Sequence, residues 1–259
     1  MNTKEKKSIP TLFLLILFLT LFTSMALLTM YQPIWANIPF NIIIPIVLLV
    51  AMKMVFFERL KLSTLICMRL LVVVTYFNLF SGETCIKIVL ILWMINILEA
   101  TLTDLSKKHF FNTITGLALT ISLFTFFTKV NLAGWNGIYY TIFYNGNIST
   151  ICWIAAYTIW NWVFVSYEFS PSIAKLHIAI LASPILGALL VQNPGIWFIL
   201  RGNSLTTGAI VEIAFKEKLE NSLKGNKISK IVEKSHNTSL QIALMIISLL
   251  LIIIPLVIK

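Results

Sequence analysis

Residues 11–30 read TLFLLILFLTLFTSMALLTM, twenty consecutive positions without a charged side chain. As an α-helix this stretch rises about 30 Å, the thickness of the hydrocarbon core of a bilayer. Comparable runs follow at 39–57, 64–81, 86–105, 113–127, 147–165, 174–192 and 240–258. The composition agrees: of 259 residues, 58% are hydrophobic and 12% charged, against roughly 45–50% and 25% in a soluble domain. Mean hydropathy is +0.91. A soluble globular domain, a disordered chain and a coiled coil are excluded. The expected fold is an all-α, polytopic membrane helix bundle of about eight to nine transmembrane segments.

Charge orients the bundle. The 20 Lys and Arg against 10 Asp and Glu give a formal charge of +10. In a membrane protein such an excess first marks cytoplasmic loops, so no nucleic-acid partner is expected. Lys4, Lys6 and Lys7, then Arg59 and Lys61, Lys107 and Lys108, Lys175, and the run from Lys216 to Lys234 each abut an apolar stretch and are placed inside. Lys87, Lys129 and Lys259 are left near outer ends, and the N-terminus is cytoplasmic. The first segment exceeds the ~7–15 apolar residues of a signal peptide and reads as an uncleaved helix. A multi-pass protein of the inner cell membrane is expected. Cys67, Cys85 and Cys152 share no metal-like spacing and read as packing residues; neither a metal nor a cofactor is expected.

Several segments depart from a plain span. Pro45 and Pro184 fall inside apolar runs, where a missing N–H and a ring clash kink a helix. Residues 128–145 hold Gly134, Trp135, Tyr139, Tyr140 and Tyr144 and read as an aromatic outer loop at the interface. Residues 196–215 are weakly apolar and interrupted by Arg201, Gly202, Asn203 and Ser204, yet the following lysines reach the cytoplasm if this stretch crosses, broken or re-entrant. The chain is thus divided into a bundle over 1–215, a cytoplasmic basic amphipathic segment over 216–239 that favours anionic lipid of the inner leaflet, and a C-terminal anchor over 240–259. No internal repeat is visible, which removes one common mark of secondary transporters.

Ionisable groups at membrane depth are costly, on the order of 2.5–3.5 kcal/mol each, and are therefore the first places to look for function. Trp93, Asn96, Glu99 and Thr103 share one helical face; Trp153, Tyr157, Trp160 or Asn161, Phe164 and Glu168 share another; Trp197, Arg201, Ser204, Gly208 and Glu212 form a third. With the orientation above, Glu99, Asp104, Asn161, Glu168, His177 and Glu212 fall toward cytoplasmic ends and could line one inward-opening pocket. The candidate ligand-binding residues are Asn96, Glu99, Tyr157, Trp160, Asn161, His177 and Arg201, with Arg201 nearer the outer side. Bland roles compete with these. Glu99 could simply pair with Arg69, Arg69 could snorkel to the inner boundary, His177 could be an interfacial histidine, and Glu212 could pair with Lys216 at the surface.

Three classes of function fit. Transport of a small molecule or ion comes first, on the polar stripes, the prolines and the interrupted segment. A membrane enzyme acting on a lipid or isoprenoid comes second, although no catalytic signature is present and Asp104 is the sole aspartate. A non-catalytic ligand sensor or assembly factor is the third. In each case the expected partners are the bilayer and a small-molecule ligand.

Overall fold

The computed structural model describes residues 11–54, 56–128, 133–223 and 226–257; Lys4, Lys6, Lys7, Lys129 and Lys259 lie outside the described residues. The chain is all-α apart from one short hairpin. Helix α1 (Thr11–Tyr31) is followed by a π-helical turn (Pro39–Ile43) that runs into α2 (Ile44–Ala51), then α3 (Phe56–Tyr76), α4 (Gly82–Ser106) and α5 (Phe110–Thr128). An antiparallel pair of β1 (Ala133–Trp135) and β2 (Tyr140–Ile142) precedes α6 (Asn147–Glu168) and α7 (Pro171–Val191). A 3₁₀ turn (Pro194–Ile196) leads to α8 (Trp197–Ser222), α9 (Asn226–Ser235) and α10 (Thr238–Val257).

Local chemistry sets these boundaries. Ser81 caps α4 by accepting the Thr84 N–H at 3.1 Å, and Ser170 caps α7 with Pro171 at its first position. The π turn lies directly before Pro45, whose absent N–H and ring disfavour an ordinary turn there. The expected kink is therefore a widened turn, and it carries Asn41 into the core.

Five helices, α1, α4, α5, α6 and α7, are long and apolar enough to cross a membrane; α9 and α10, bent by 76° where they meet, make a sixth if counted as one. That is fewer than the eight to nine spans expected. The π turn and α2 together cover Pro39–Ala51 and are too short. Helix α3 carries Glu58, Arg59, Lys61 and Arg69, and α8 carries Arg201 and Glu212 before its lysines.

Low hydropathy in α8 has a packing cause. Every residue from Trp197 to Gly208 is buried, so protein rather than lipid surrounds this half of the helix. Small residues permit the approach of α7: a Cβ on Gly208 would lie 2.5 Å from Ile180 Cδ1. Thr206 and Thr207 turn their hydroxyls back to the carbonyls of Gly202 and Asn203, at 2.8 and 3.1 Å. Beside α8 stands an aromatic core in which Trp153 stacks on Phe198 at 5.1 Å and Trp93 on Trp197 at 6.2 Å.

The aromatic loop lies only partly on the surface: Asn136, Gly137 and Ile138 at its tip are exposed, whereas Tyr140, Ile142 and Tyr144 are fully buried, and the hairpin closes one end of the bundle against α4 and α8. At the other end α8 is kinked at Phe215, whose backbone is non-helical (φ −129°, ψ 21°), and Lys216 and Lys218 lie in the helical piece beyond the kink, ahead of α9. Helix α10 is not a separate anchor, because it packs along α6 and α5. A stack of His109, Tyr167 and His236, with centroid distances of 3.9 and 4.2 Å, fastens the α9–α10 bend to α6, and Gln241 bonds Tyr167.

Candidate functional site

The centre of the site originates in a missing backbone donor. Pro184 has no N–H, which leaves the carbonyl of Ile180, one turn earlier in α7, without its helical partner. Arg201 Nη1 on α8 donates to that carbonyl at 3.3 Å, and the Ser204 hydroxyl at 3.4 Å. Arg201 Nη2 donates to Asn161 Oδ1 on α6 at 3.2 Å, and the guanidinium lies 5.7 Å from the centre of the Tyr157 ring. Its exposure is 1%.

Around Arg201 is a cavity of about 30 Å³ between α3, α4, α6 and α8. Asn96, Glu99, Tyr157, Trp160, Asn161 and Arg201 all line it, so six of the seven residues singled out in the sequence meet at one place. Trp93 and Phe164 complete an aromatic wall, and Lys61 closes the cavity from α3. The volume admits about two waters, and Lys61, Asn96, Glu99 and Asn161 along it are half-buried, so the site is narrow and partly open. Asn96 is partly committed to packing, since its amide donates to Thr64 Oγ1 and Leu92 O, each at 2.9 Å.

His177 stands apart. It is buried against Phe169 at a ring distance of 4.5 Å, donates Nδ1–H to Ile173 O at 3.1 Å, and faces Glu212 across 3.8 Å. Neither it nor Glu212 lines the cavity, and Glu212 faces His177 instead of a surface lysine. The other carboxylates expected in one pocket are also dispersed. Asp104 accepts from Asn112 at 2.7 Å and pairs with His109, and Glu168 pairs with Lys107. Helix-face spacing fixed direction but not depth, and these groups are one or more turns beyond the cavity.

Arg69 overturns both of its expected roles. It neither snorkels nor meets Glu99. At 1% exposure it donates to Asn203 Oδ1, to Ile199 O at 3.5 Å and to the Tyr140 hydroxyl at 3.4 Å. Since Tyr140 belongs to the hairpin, Arg69 lies toward the hairpin end. Asn203 is held in turn by its amide bond to Ala26 O at 3.0 Å, and Asn41 of the π turn donates to Asn203 Oδ1 at 3.4 Å. The Arg201 side chain reaches Asn161 and the cavity that Lys61 lines.

Among the described residues no carboxylate lies within 4 Å of either arginine. The Nε of each is buried without a hydrogen-bond partner. A buried charge lacking a counter-charge costs several kcal/mol. Lys61, which the sequence marked as a topological cation, was the missed member of the site. Its spacing to Thr64, Met68 and Val72, all buried, held the signal.

A second, larger cavity of about 530 Å³ opens between the start of α6 and the end of α7, lined mainly by Ile151, Ile154, Ile185 and Leu189 with Trp197 beside them. Asn147, Gln192 and Asn193 edge it, and no acid, base or nucleophile is among its lining residues. Comparison with protein-family models, with characterised proteins and with solved structures finds no match to this chain.

Proposed function

We propose that the chain is a multi-pass membrane protein that moves a small solute through the centre of its bundle. The observation that carries this reading is the narrow polar cavity around Arg201, in which four helices converge on charged, amide and aromatic groups. Its position favours transport over surface binding, because α8 is sheathed by protein and its neighbours contain two structural irregularities, the π turn before α2 and the proline in α7. With α2, α3 and α8 counted as crossings, the chain traverses the bilayer nine times, N-terminus cytoplasmic. The exposed lysines at the α8 terminus and in α9, including Lys216, Lys218, Lys230 and Lys234, then meet anionic lipid of the inner leaflet.

A membrane enzyme is the second reading. The large lateral groove favours it by offering room for an acyl or isoprenoid chain, but the groove brings no catalytic pair with it.

The test is flux. Purified full-length protein in liposomes is presented with a panel of small cations, anions and neutral solutes, and rates are compared with those of Asn161→Ala and protein-free vesicles. Uptake above the protein-free rate, lowered in the variant without loss of folding, is expected. Flux equal to the protein-free rate for the whole panel would refute the transport reading.

A further inference from the structure

The two buried arginines are built alike. Each gives one N–H to an asparagine oxygen, Asn203 for Arg69 and Asn161 for Arg201. Each gives another to a backbone carbonyl, that of Ile199 or that of Ile180. Each also meets a tyrosine, by the hydroxyl of Tyr140 or by the ring of Tyr157. These acceptors are neutral. They satisfy N–H groups and leave the positive charge uncancelled, and a guanidinium does not discharge itself by losing a proton. An asparagine in place of aspartate at both positions keeps each charge available to a mobile partner.

Two of the cations flank one turn of α8. Arg69 bonds Ile199 and Asn203, two residues either side of Arg201 and hence on the opposite face of the helix, while Arg201 faces the cavity; Lys61, which lines that cavity, lies eight residues before Arg69 on α3, a rise of about 12 Å. The carboxylates Glu99, Glu212 and Glu58 act electrostatically on Lys61. Lys61 thus has carboxylates acting on it, whereas the guanidinium of Arg201, in the same cavity, has none within 4 Å among the described residues. A cation entering this space meets repulsion, a neutral solute meets a costly desolvation, and an anion meets the counter-charge that the fold withholds.

We propose that the solute is a small anion, which is held in the cavity that Arg201 and Lys61 line. This rests on the transport reading and names its substrate class. The cavity volume suits a halide or a carboxylate of one carbon. Arg201 binds it through the guanidinium, and Trp93 and Trp160 form the wall beside it.

Those indoles supply a binding readout independent of transport. In a Trp35→Phe background, which removes an exposed indole, the full chain in detergent is titrated with sodium iodide, with sodium gluconate holding ionic strength constant. Chloride efflux from proteoliposomes is measured beside efflux of tetramethylammonium. Saturable quenching is expected in the parent, weakened about tenfold or more in Arg201→Gln and retained in part in Arg201→Lys. Chloride efflux should exceed tetramethylammonium efflux and fall in Arg201→Gln. Saturable iodide binding with no flux of any solute would uphold the anion site and sink transport. Flux without preference for chloride, or quenching untouched in folded Arg201→Gln, would overturn the anion proposal and leave transport standing. Neither binding nor flux would overturn both. If the glutamine variant fails to fold, the parent's iodide binding and ion preference decide the matter.

Discussion

Gly202→Ala probes the environment of Arg69 with a single methyl group. A Cβ there would lie 2.6 Å from Arg69 Nη2 and 3.2 Å from Cζ. Restoring an ordinary contact of 3.4 Å requires the guanidinium to retreat by about 0.8 Å, the difference between 3.4 and 2.6 Å. Its bonds to Tyr140 and Ile199 are already 3.4 and 3.5 Å long, so a retreat of that size breaks both. Bonds to a charged group contribute about 1.5–3 kcal/mol each, and long ones fall at or below the lower end, giving a loss of about 3 kcal/mol. Replacing glycine by alanine in a helix returns roughly 0.5–1 kcal/mol. The net cost is about 2 kcal/mol, or about 4–8 °C in the melting temperature of a chain this size. Tryptophan fluorescence in detergent measures it, and the cycle with Arg69→Met isolates the contact, because the thinner, uncharged side chain removes both clash and bonds. A Gly202→Ala protein that melts like the parent, or costs that simply add in the double variant, would refute the account of Arg69.

Three further outcomes follow from the same geometry. Pro184→Ala restores a helical donor to the Ile180 carbonyl; the melting temperature should hold or rise, while iodide affinity falls because a backbone N–H then competes with Arg201 for an acceptor that the Ser183 and Ser204 hydroxyls already share. A cysteine placed at Asn136 in a background lacking Cys67, Cys85 and Cys152 should react with an impermeant maleimide from outside intact cells, and one at Glu217 should not; the reverse pattern would invert the topology. Burial pushes the Tyr140 hydroxyl above its ordinary value of 10.0 against the opposing pull of Arg69. An acid whose folded value is raised supports stability below the unfolded value and loses it as pH rises through the folded one. Stability should therefore fall above about pH 10, and less so in Tyr140→Phe.

The apolar helices were legible in the sequence because lipid is their solvent, and a run such as 11–30 needs no other explanation. Helix α8 was legible only as an anomaly. Arg201, Asn203 and Ser204 lower its hydropathy, yet each is buried by α1, α3, α6 or α7, and one sequence cannot announce which neighbours will cover a helix. Arg69 shows the same limit: its depth was counted from a presumed inner boundary, whereas its position follows from a hairpin that enters the bundle and offers Tyr140. Six cavity residues were found together because helical spacing fixes the face on which a side chain stands. Their convergence needed a second kind of information, the carbonyl exposed by Pro184. That proline was read as a hinge, and its nearer effect is chemical: it leaves an acceptor in α7 at the level of Arg201, where an uncompensated guanidinium would otherwise have too few partners to remain buried. The two irregularities of the bundle thus do corresponding work, for the turn before Pro45 brings Asn41 to Asn203 beside Arg69, and the gap made by Pro184 holds Arg201. A protein that only required stability would gain by replacing both cations with apolar side chains. The backbone is instead adjusted at two places to keep them, which is the physical case for regarding the charges as functional.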